Sequence, residues 1–347
     1  MLDYIIWNMH PEIIEGFRVR WYGLFFAIGF FVSYSCLGKI FKREGLSQKK
    51  LDNFTFITFI LLIVGLRLGH CLFYEWEVYS KDPVRILYIW EGGLASHGGA
   101  IGLLLAFFIF SRRSGKSFLW IASRAAVVIP FTAGFVRLGN LMNSEIYGVA
   151  SQLPWAFVFV RDAVIHATPQ QLTDILTQSG IVSADLYNQL LQFFSAHGEL
   201  FARGVPYSSL QTMLTESRFM LAERSDLLIS TLLQKGLLQA HHPTQIYEAL
   251  VYFATFAVLM WYYFSRKAVA AVSNYFILGF IFVVIFGFRF IVEFIKNDQV
   301  SFEQGMALNM GQLLSLPFIV FGLWCFYKYF SAHNPQDFPG RGVLHTP

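Results

Sequence analysis

Residues 136–148 read VRLGNLMNSEIYG, and there Arg137, Asn140, Asn143 and Glu145 gather at the end of a long apolar run that Gly148 closes. An arginine among amides is the chemistry of anion recognition, because guanidinium N–H groups pair bidentately with phosphate or carboxylate oxygens. Asn140 follows Arg137 by about one helical turn, so both can face one site. A second arginine, Arg289, stands four residues before Glu293 in FRFIVEF, the spacing of an ion pair along one helix face. Two arginines from separate segments make a natural phosphate clamp, with the glutamate holding one of them. Each also has a plainer reading: Arg137 as a side chain reaching for an interface, and Arg289–Glu293 as a structural pair that lets both residues enter an apolar layer. His97, in SHGGAIG, is a candidate general base, since imidazole titrates near neutral pH; the alternative is a neutral ring bonded to a neighbouring helix. Arg67 in GLRLGH and Glu248 in HPTQIYEAL lie inside apolar stretches where each needs a partner. No spacing of His, Cys or carboxylates suggests a metal site, and His241-His242 before Pro243 reads as a turn into a helix.

The elements that must position these residues are membrane helices. The 347 residues are 55% hydrophobic and 18% aromatic but only 14% charged, against about a quarter charged in a soluble domain. Thirty-eight Phe exceed what one soluble core could hide. The net charge of +4 is too mild to argue for nucleic acid and better suits orientation against anionic lipid. Cys36, Cys71 and Cys325 all lie in apolar runs and read as reduced packing residues. No cleavable signal peptide is evident in residues 1–20, which carry acids and bases and lack an apolar centre, so the first span is expected to be retained.

Seven stretches approach the roughly 20 mainly apolar residues a spanning helix needs: about 20–38, 54–74, 92–110, 118–139, 244–264, 275–295 and 307–328. The expectation is an all-α polytopic membrane protein with a small extracytoplasmic head of mixed or helical structure. Its parts are four spans with interfacial segments over 1–140, the head insertion at 141–243, three spans over 244–330 and a tail at 331–347. Basic residues set the orientation: Lys39, Lys42, Arg43, Lys49 and Lys50 in the first connection, Arg112, Arg113 and Lys116 in the third, Arg266 and Lys267 in the fifth. Those connections are cytoplasmic, the N-terminus and the head lie outside, and the tail lies inside. In the head, Trp155–Val160 reads as a short strand, and pieces near 169–178, 184–196, 208–221 and 225–238 have helical spacing. Trp76, Tyr79, Tyr88 and Trp90 suit an interfacial segment.

On this topology Tyr22, Arg67, His97, Arg137, Glu248 and Arg289 fall in the outer halves of six different spans, while the inner halves hold little charge apart from Arg124, which is expected to snorkel to the cytoplasmic face. Intramembrane charges are costly enough to imply a shared polar pocket, here at headgroup depth. A lipid transporter would want polar or broken helices through both leaflets; a non-catalytic lipid-binding protein would tolerate loss of His97 and Arg137.

These stretches resemble the bacterial prolipoprotein diacylglyceryl transferases. That family carries G-R-x-[GA]-N-F-x-N-x-E-x-x-G, matched here at Arg137, Gly139, Asn140, Asn143, Glu145 and Gly148, with Val136 and Leu141 departing at packing positions. RWYGL, GLRLGH, WEGGLASHGGAIG, HPTQIYE and FRFIVEF match further family stretches in order. The family often has Tyr four residues before the last Arg; Ile285 stands here, so any role of that hydroxyl is absent or met elsewhere. The likeness fails over roughly 150–240. It implies transfer of a diacylglyceryl group from phosphatidylglycerol to the lipobox cysteine in a prolipoprotein signal peptide, at the bacterial inner membrane, with no cofactor. Arg137 and Arg289 would stabilise the leaving phosphate and His97 would serve as base. Tyr22, Asn140 and Asn143 would orient the headgroup, Glu145 and Glu293 would position the arginines, and Arg67, Gly148 and Glu248 would complete the substrate-binding set.

Overall fold

Long apolar runs without charged interruptions can satisfy their backbone polar groups inside a bilayer only as helices, and helices dominate this chain. The computed structural model describes residues 4–14, 19–88, 93, 95–160, 162, 238–296, 306 and 308–333. In chain order these form β1 (Ile5–Trp7), α1 (Trp21–Arg43), α2 (Gln48–Phe73), the short α3 (Trp76–Tyr79), α4 (Ser96–Ser114), α5 (Phe118–Met142) and β2 (Phe157–Phe159). Then follow α6 (Thr244–Ser265), α7 (Asn274–Ile281), a π-helical turn at Phe282–Phe286, α8 (Gly287–Val292) and α9 (Met310–His333). Among the described residues six helical segments are long and apolar enough to cross a membrane: Trp21–Arg43, Gln48–Phe73, Phe118–Met142, Thr244–Ser265, Asn274–Ile295 and Met310–Ala332. Over the remaining expected stretch, about 92–110, the chain forms the continuous helix α4, which is not among the six: His97 and glycines at one end and Arg112 and Arg113 at the other dilute its apolar character.

The chain divides into two compact units. One comprises Gly23–Leu138, Glu248–Glu293 and Val300–Pro347, and the other comprises Met1–Tyr22, Gly139–Tyr247 and Phe294–Gln299.

The first unit is the helical one. In it α4 lies backbone-to-backbone on α2: a Cβ added at Gly98 would fall 2.8 Å from Gly69 Cα and would collide with the Gly65 carbonyl. Small residues at such crossings let membrane helices exploit close packing. Between α1 and α5, Ser33 Oγ donates to Val128 O at 3.0 Å. Aromatic rings fill the middle: Phe41 packs on Phe54, Phe110 and Trp120, and Phe131 on Phe135, Phe253 and Phe256.

Arg124 departs from expectation. It does not snorkel: it is 2% exposed, and its Nε donates to Glu44 Oε1 at 2.6 Å. Glu44 also accepts from Tyr263 Oη at 2.7 Å and Trp120 Nε1 at 2.5 Å, while Arg124 reaches Asn274 Oδ1 at 2.5 Å. Side chains from α5, α6 and α7 close around one charge pair, so Arg124 has no need of the interface.

The second unit contains a feature the sequence reading lacked. β1 pairs in parallel with β2, with Ile5 opposite Phe157, Ile6 opposite Val158 and Trp7 opposite Phe159. The strand expected at Trp155–Val160 is therefore present, shortened to three residues, and its partner is the extreme N-terminal segment. Trp7 Nε1 donates to Leu141 O at 2.9 Å, and Leu141, Phe157 and Phe159 make a small core with Trp7, Tyr147 and Ile246. The helical pieces expected between 169 and 237 lie outside the described residues.

Candidate active site

In the helical unit the charged residues converge. Arg137 Nε sits 3.1 Å from Glu248 Oε2; the Glu248 side chain is fully buried and that of Arg137 only 16% exposed. A buried carboxylate without a cation would be costly, so this pair is what allows both to occupy apolar helices. Glu293 and the phenol of Tyr252 also lie within interaction range of Arg137. Tyr252 in turn senses the charges of Glu248 and Arg289. Arg289 Nε is 3.7 Å from Glu293 Oε1 along one helix face, and Glu293 Oε2 accepts from Asn309 Nδ2 at 3.2 Å. The Arg289 side chain remains 38% exposed, so it keeps N–H groups to offer a ligand. Two guanidiniums, two carboxylates and a phenol, contributed by α5, α6 and the segment of α8, form one cluster.

Arg67, on α2, is differently engaged. Its Nε donates to Ile86 O at 2.9 Å, its terminal nitrogens to Arg85 O at 2.6 Å and Gly93 O at 3.4 Å, and it lies over the Tyr79 ring at 5.0 Å. It thus holds the segment after α3 against the end of α2. His97 packs edge-on against Phe73, with ring centroids 5.1 Å apart, and against Tyr74 at 5.7 Å. None of its described contacts is to Arg137 or Arg289.

The second unit organises amides around Glu145. Asn140 Nδ2 and Asn143 Nδ2 both donate to Glu145 Oε1, at 2.7 and 3.1 Å, and Gln245 Nε2 donates to Glu145 O at 2.7 Å. Glu145 thus positions asparagines, whereas the sequence reading had it positioning arginines. Each amide N is fixed as donor because its partner can only accept. The Asn143 Oδ1 and Gln245 Oε1 acceptors are left buried and without a hydrogen bond among the described residues. Ser144 and Ile146, flanking Glu145, have φ of 57° and 60°, a region unfavourable to a β-branched residue and characteristic of strained functional turns. Gly148 has no room for a side chain: its N–H donates to His242 O at 2.8 Å, and a Cβ there would fall 2.8 Å from His242 Cβ. Tyr22 packs its ring against Gly139. Burial pushes the Tyr147 hydroxyl's pKa up, helped by its hydrogen bond to Asp162, and burial pushes the His241 imidazole's pKa down.

A family model described as prolipoprotein diacylglyceryl transferase matches residues 11–328, nearly the whole chain. The chain belongs to this family. A phosphatidylglycerol–prolipoprotein diacylglyceryl transferase of Porphyromonas gingivalis is 35% identical over 340 residues, covering 96% of each chain. One from Bacteroides fragilis is 32% identical over 343 residues, covering 94% of this chain and 95% of the relative. One from Tolumonas auensis is 33% identical over 322 residues, covering 92% and 95%. As a member of the prolipoprotein diacylglyceryl transferase family, the chain is a membrane transferase. The sequence reading missed Tyr252 as a site residue, although it lies one turn beyond Glu248 and the i, i+4 rule places both on one face. It also missed Asn309, whose N-x-x-Q spacing to Gln312 marks only a helix start, the two residues exchanging capping hydrogen bonds.

Proposed function

We propose that this chain transfers the diacylglyceryl group of phosphatidylglycerol to the lipobox cysteine thiol of prolipoproteins. The observation that carries this reading is the cluster in which Arg137, held by Glu248 and Tyr252, and Arg289, held by Glu293, both stand in range of one phenol. The sulfur attacks the glyceryl carbon bearing the phosphate ester. A carbon–sulfur bond forms, the carbon–oxygen bond breaks, and glycerol phosphate leaves with the electron pair. Arg137 and Arg289 stabilise the charge that grows on the departing phosphate; such stabilisation is commonly the largest catalytic contribution. A thiol is a poor nucleophile until deprotonated. His97 is the proposed base, and its ring is engaged by no hydrogen bond among the described residues. Asn140, Asn143 and Tyr22 orient the headgroup, with Asn143 Oδ1 and Gln245 Oε1 as acceptors for its hydroxyls. Glu145 and Gly148 shape the turn that presents those amides, and Arg67 anchors the neighbouring interfacial segment.

In this reading α4 is a seventh span: its 19 residues rise about 28 Å, close to a hydrocarbon core of about 30 Å. The N-terminus and the 141–243 insertion lie on the outer side of the inner membrane, where a secreted prolipoprotein is met, and the tail is cytoplasmic. The test is transfer from phosphatidylglycerol to a lipobox peptide by purified protein in detergent. Wild type is expected to lipidate the peptide, while Arg137→Ala and Arg289→Ala each lose activity by at least about 100-fold, the scale for removing a transition-state charge partner. Full activity in both variants would refute the clamp.

A further inference from the structure

Arginine has five N–H donors and no acceptor, so where its guanidinium points depends on the acceptors arranged around it. Around Arg137 the α6 helix supplies two. Glu248 Oε2 lies 3.1 Å from its Nε, and Tyr252, four residues on and therefore on the same face, brings its phenol within interaction range of the guanidinium. The face itself is fixed by packing: Phe131 and Phe135 of α5 meet Phe253 of α6 at centroid distances of 5.5 and 5.4 Å. Tyr252 is 6% exposed, and a buried tyrosine hydroxyl is normally retained for a partner. Glu248 alone would let the guanidinium pivot about its Nε contact. Ile285, on the π-helical turn of the Arg289 segment, brings no hydroxyl to the cluster.

We propose that Tyr252 is a positioning residue for the transferase reaction: its phenol oxygen, together with Glu248, fixes the Arg137 guanidinium so that its remaining N–H groups face the lipid phosphate. The inference rests on the transfer reaction proposed above. Tyr252 acts through Arg137 and matters most as charge accumulates on the departing phosphate. Its loss therefore lowers kcat more than it raises KM for phosphatidylglycerol.

The experiment uses full-length protein in detergent with phosphatidylglycerol micelles and a lipobox peptide. Wild type is assayed first: absence of transfer there overturns the reaction, whereas transfer by wild type leaves only the role of Tyr252 in question. Tyr252→Phe is expected to lose about tenfold in kcat with KM changed less than about twofold. In a Glu248→Gln background the same change is expected to cost less than it does alone, because both residues act on one guanidinium. A packing role is separated by Tyr252→Gln and Tyr252→Leu. Gln keeps an acceptor oxygen but suits an apolar helix less, so positioning predicts that Gln outperforms Leu in kcat, and packing predicts the reverse order. Wild-type kcat in Tyr252→Phe, or Leu equal to or better than Gln, overturns the proposal.

Discussion

At the scale of single residues, the membrane charges are organised by acceptors. Arg137, Arg289, Arg124 and Arg67 are all embedded in apolar helices, yet each is bound by carboxylates, a side-chain amide or backbone carbonyls. What separates them is how much donor capacity remains. Arg124 is enclosed and Arg67 is spent on three carbonyls, whereas Arg289 is over a third exposed. In the proposed reaction Arg289 is thus the arginine most open to a phosphate, with Arg137 beside it in the same cluster. His97 supplies a separate prediction. As base it sets the thiolate fraction, so His97→Gln is expected to slow transfer at neutral pH by about 100-fold. The variant's rate should then rise more steeply with pH than that of wild type, because solvent hydroxide takes over the deprotonation. A pH–rate profile checks this, and parallel profiles would remove His97 from the proton path.

At the scale of elements, two predictions concern how helices and turns are held. Arg124 and Glu44 are each 3% exposed at their side chains, and removing one partner of a buried pair costs about 3–5 kcal/mol. Arg124→Met is therefore expected to lower the thermal midpoint in detergent by several degrees, the exact shift depending on the unfolding enthalpy, and a midpoint equal to wild type would show that the pair contributes nothing. His241 lies in bridges to Ala150 and Phe157, its ring at 2.9 Å from Gly148 O. Burial holds its folded pKa below the ordinary histidine value, opposed by Gly148 and Asp162 and reinforced by His242. As pH falls, the unfolded chain takes the proton first. The stability present above the ordinary histidine pKa is lost on the way down to the folded one. Thermal unfolding between about pH 7.5 and about pH 5.5 should show wild type losing more stability than His241→Gln. Much of the element layout was legible beforehand. Apolar runs gave the helices, and Trp155–Val160 signalled the strand, because buried aromatic and β-branched residues leave few alternatives. The pairing of Ile5–Trp7 with it was not legible, since a three-residue parallel partner about 150 residues away in sequence leaves no periodicity to read. The fate of Arg124 was hidden for a similar reason: Glu44 is 80 residues away in the chain.

At the scale of the whole molecule, the proposed reaction needs a phosphatidylglycerol headgroup and a translocated cysteine on the same face of the membrane. In the proposed topology, which follows the basic connections at Lys39–Lys50, Arg112–Lys116 and Arg266–Lys267, that face is on the N-terminal side. A fluorescent-protein fusion to the C-terminus is expected to glow and a phosphatase fusion there to be inactive; the opposite pattern would invert the topology. Candidate site residues were legible at this scale wherever charge interrupts an apolar span. Tyr252 and Asn309 escaped because a tyrosine within a helix, or an asparagine just before one, looks unexceptional until its spatial neighbours are known. The most direct test of a cationic cluster that grips the lipid phosphate while sulfur displaces it is mass analysis of a lipobox peptide incubated with purified protein and phosphatidylglycerol. The account predicts a thioether-linked diacylglyceryl adduct and released glycerol phosphate with wild type, and neither with Arg137→Ala or Arg289→Ala. No adduct from wild type, or full adduct from both variants, would contradict it.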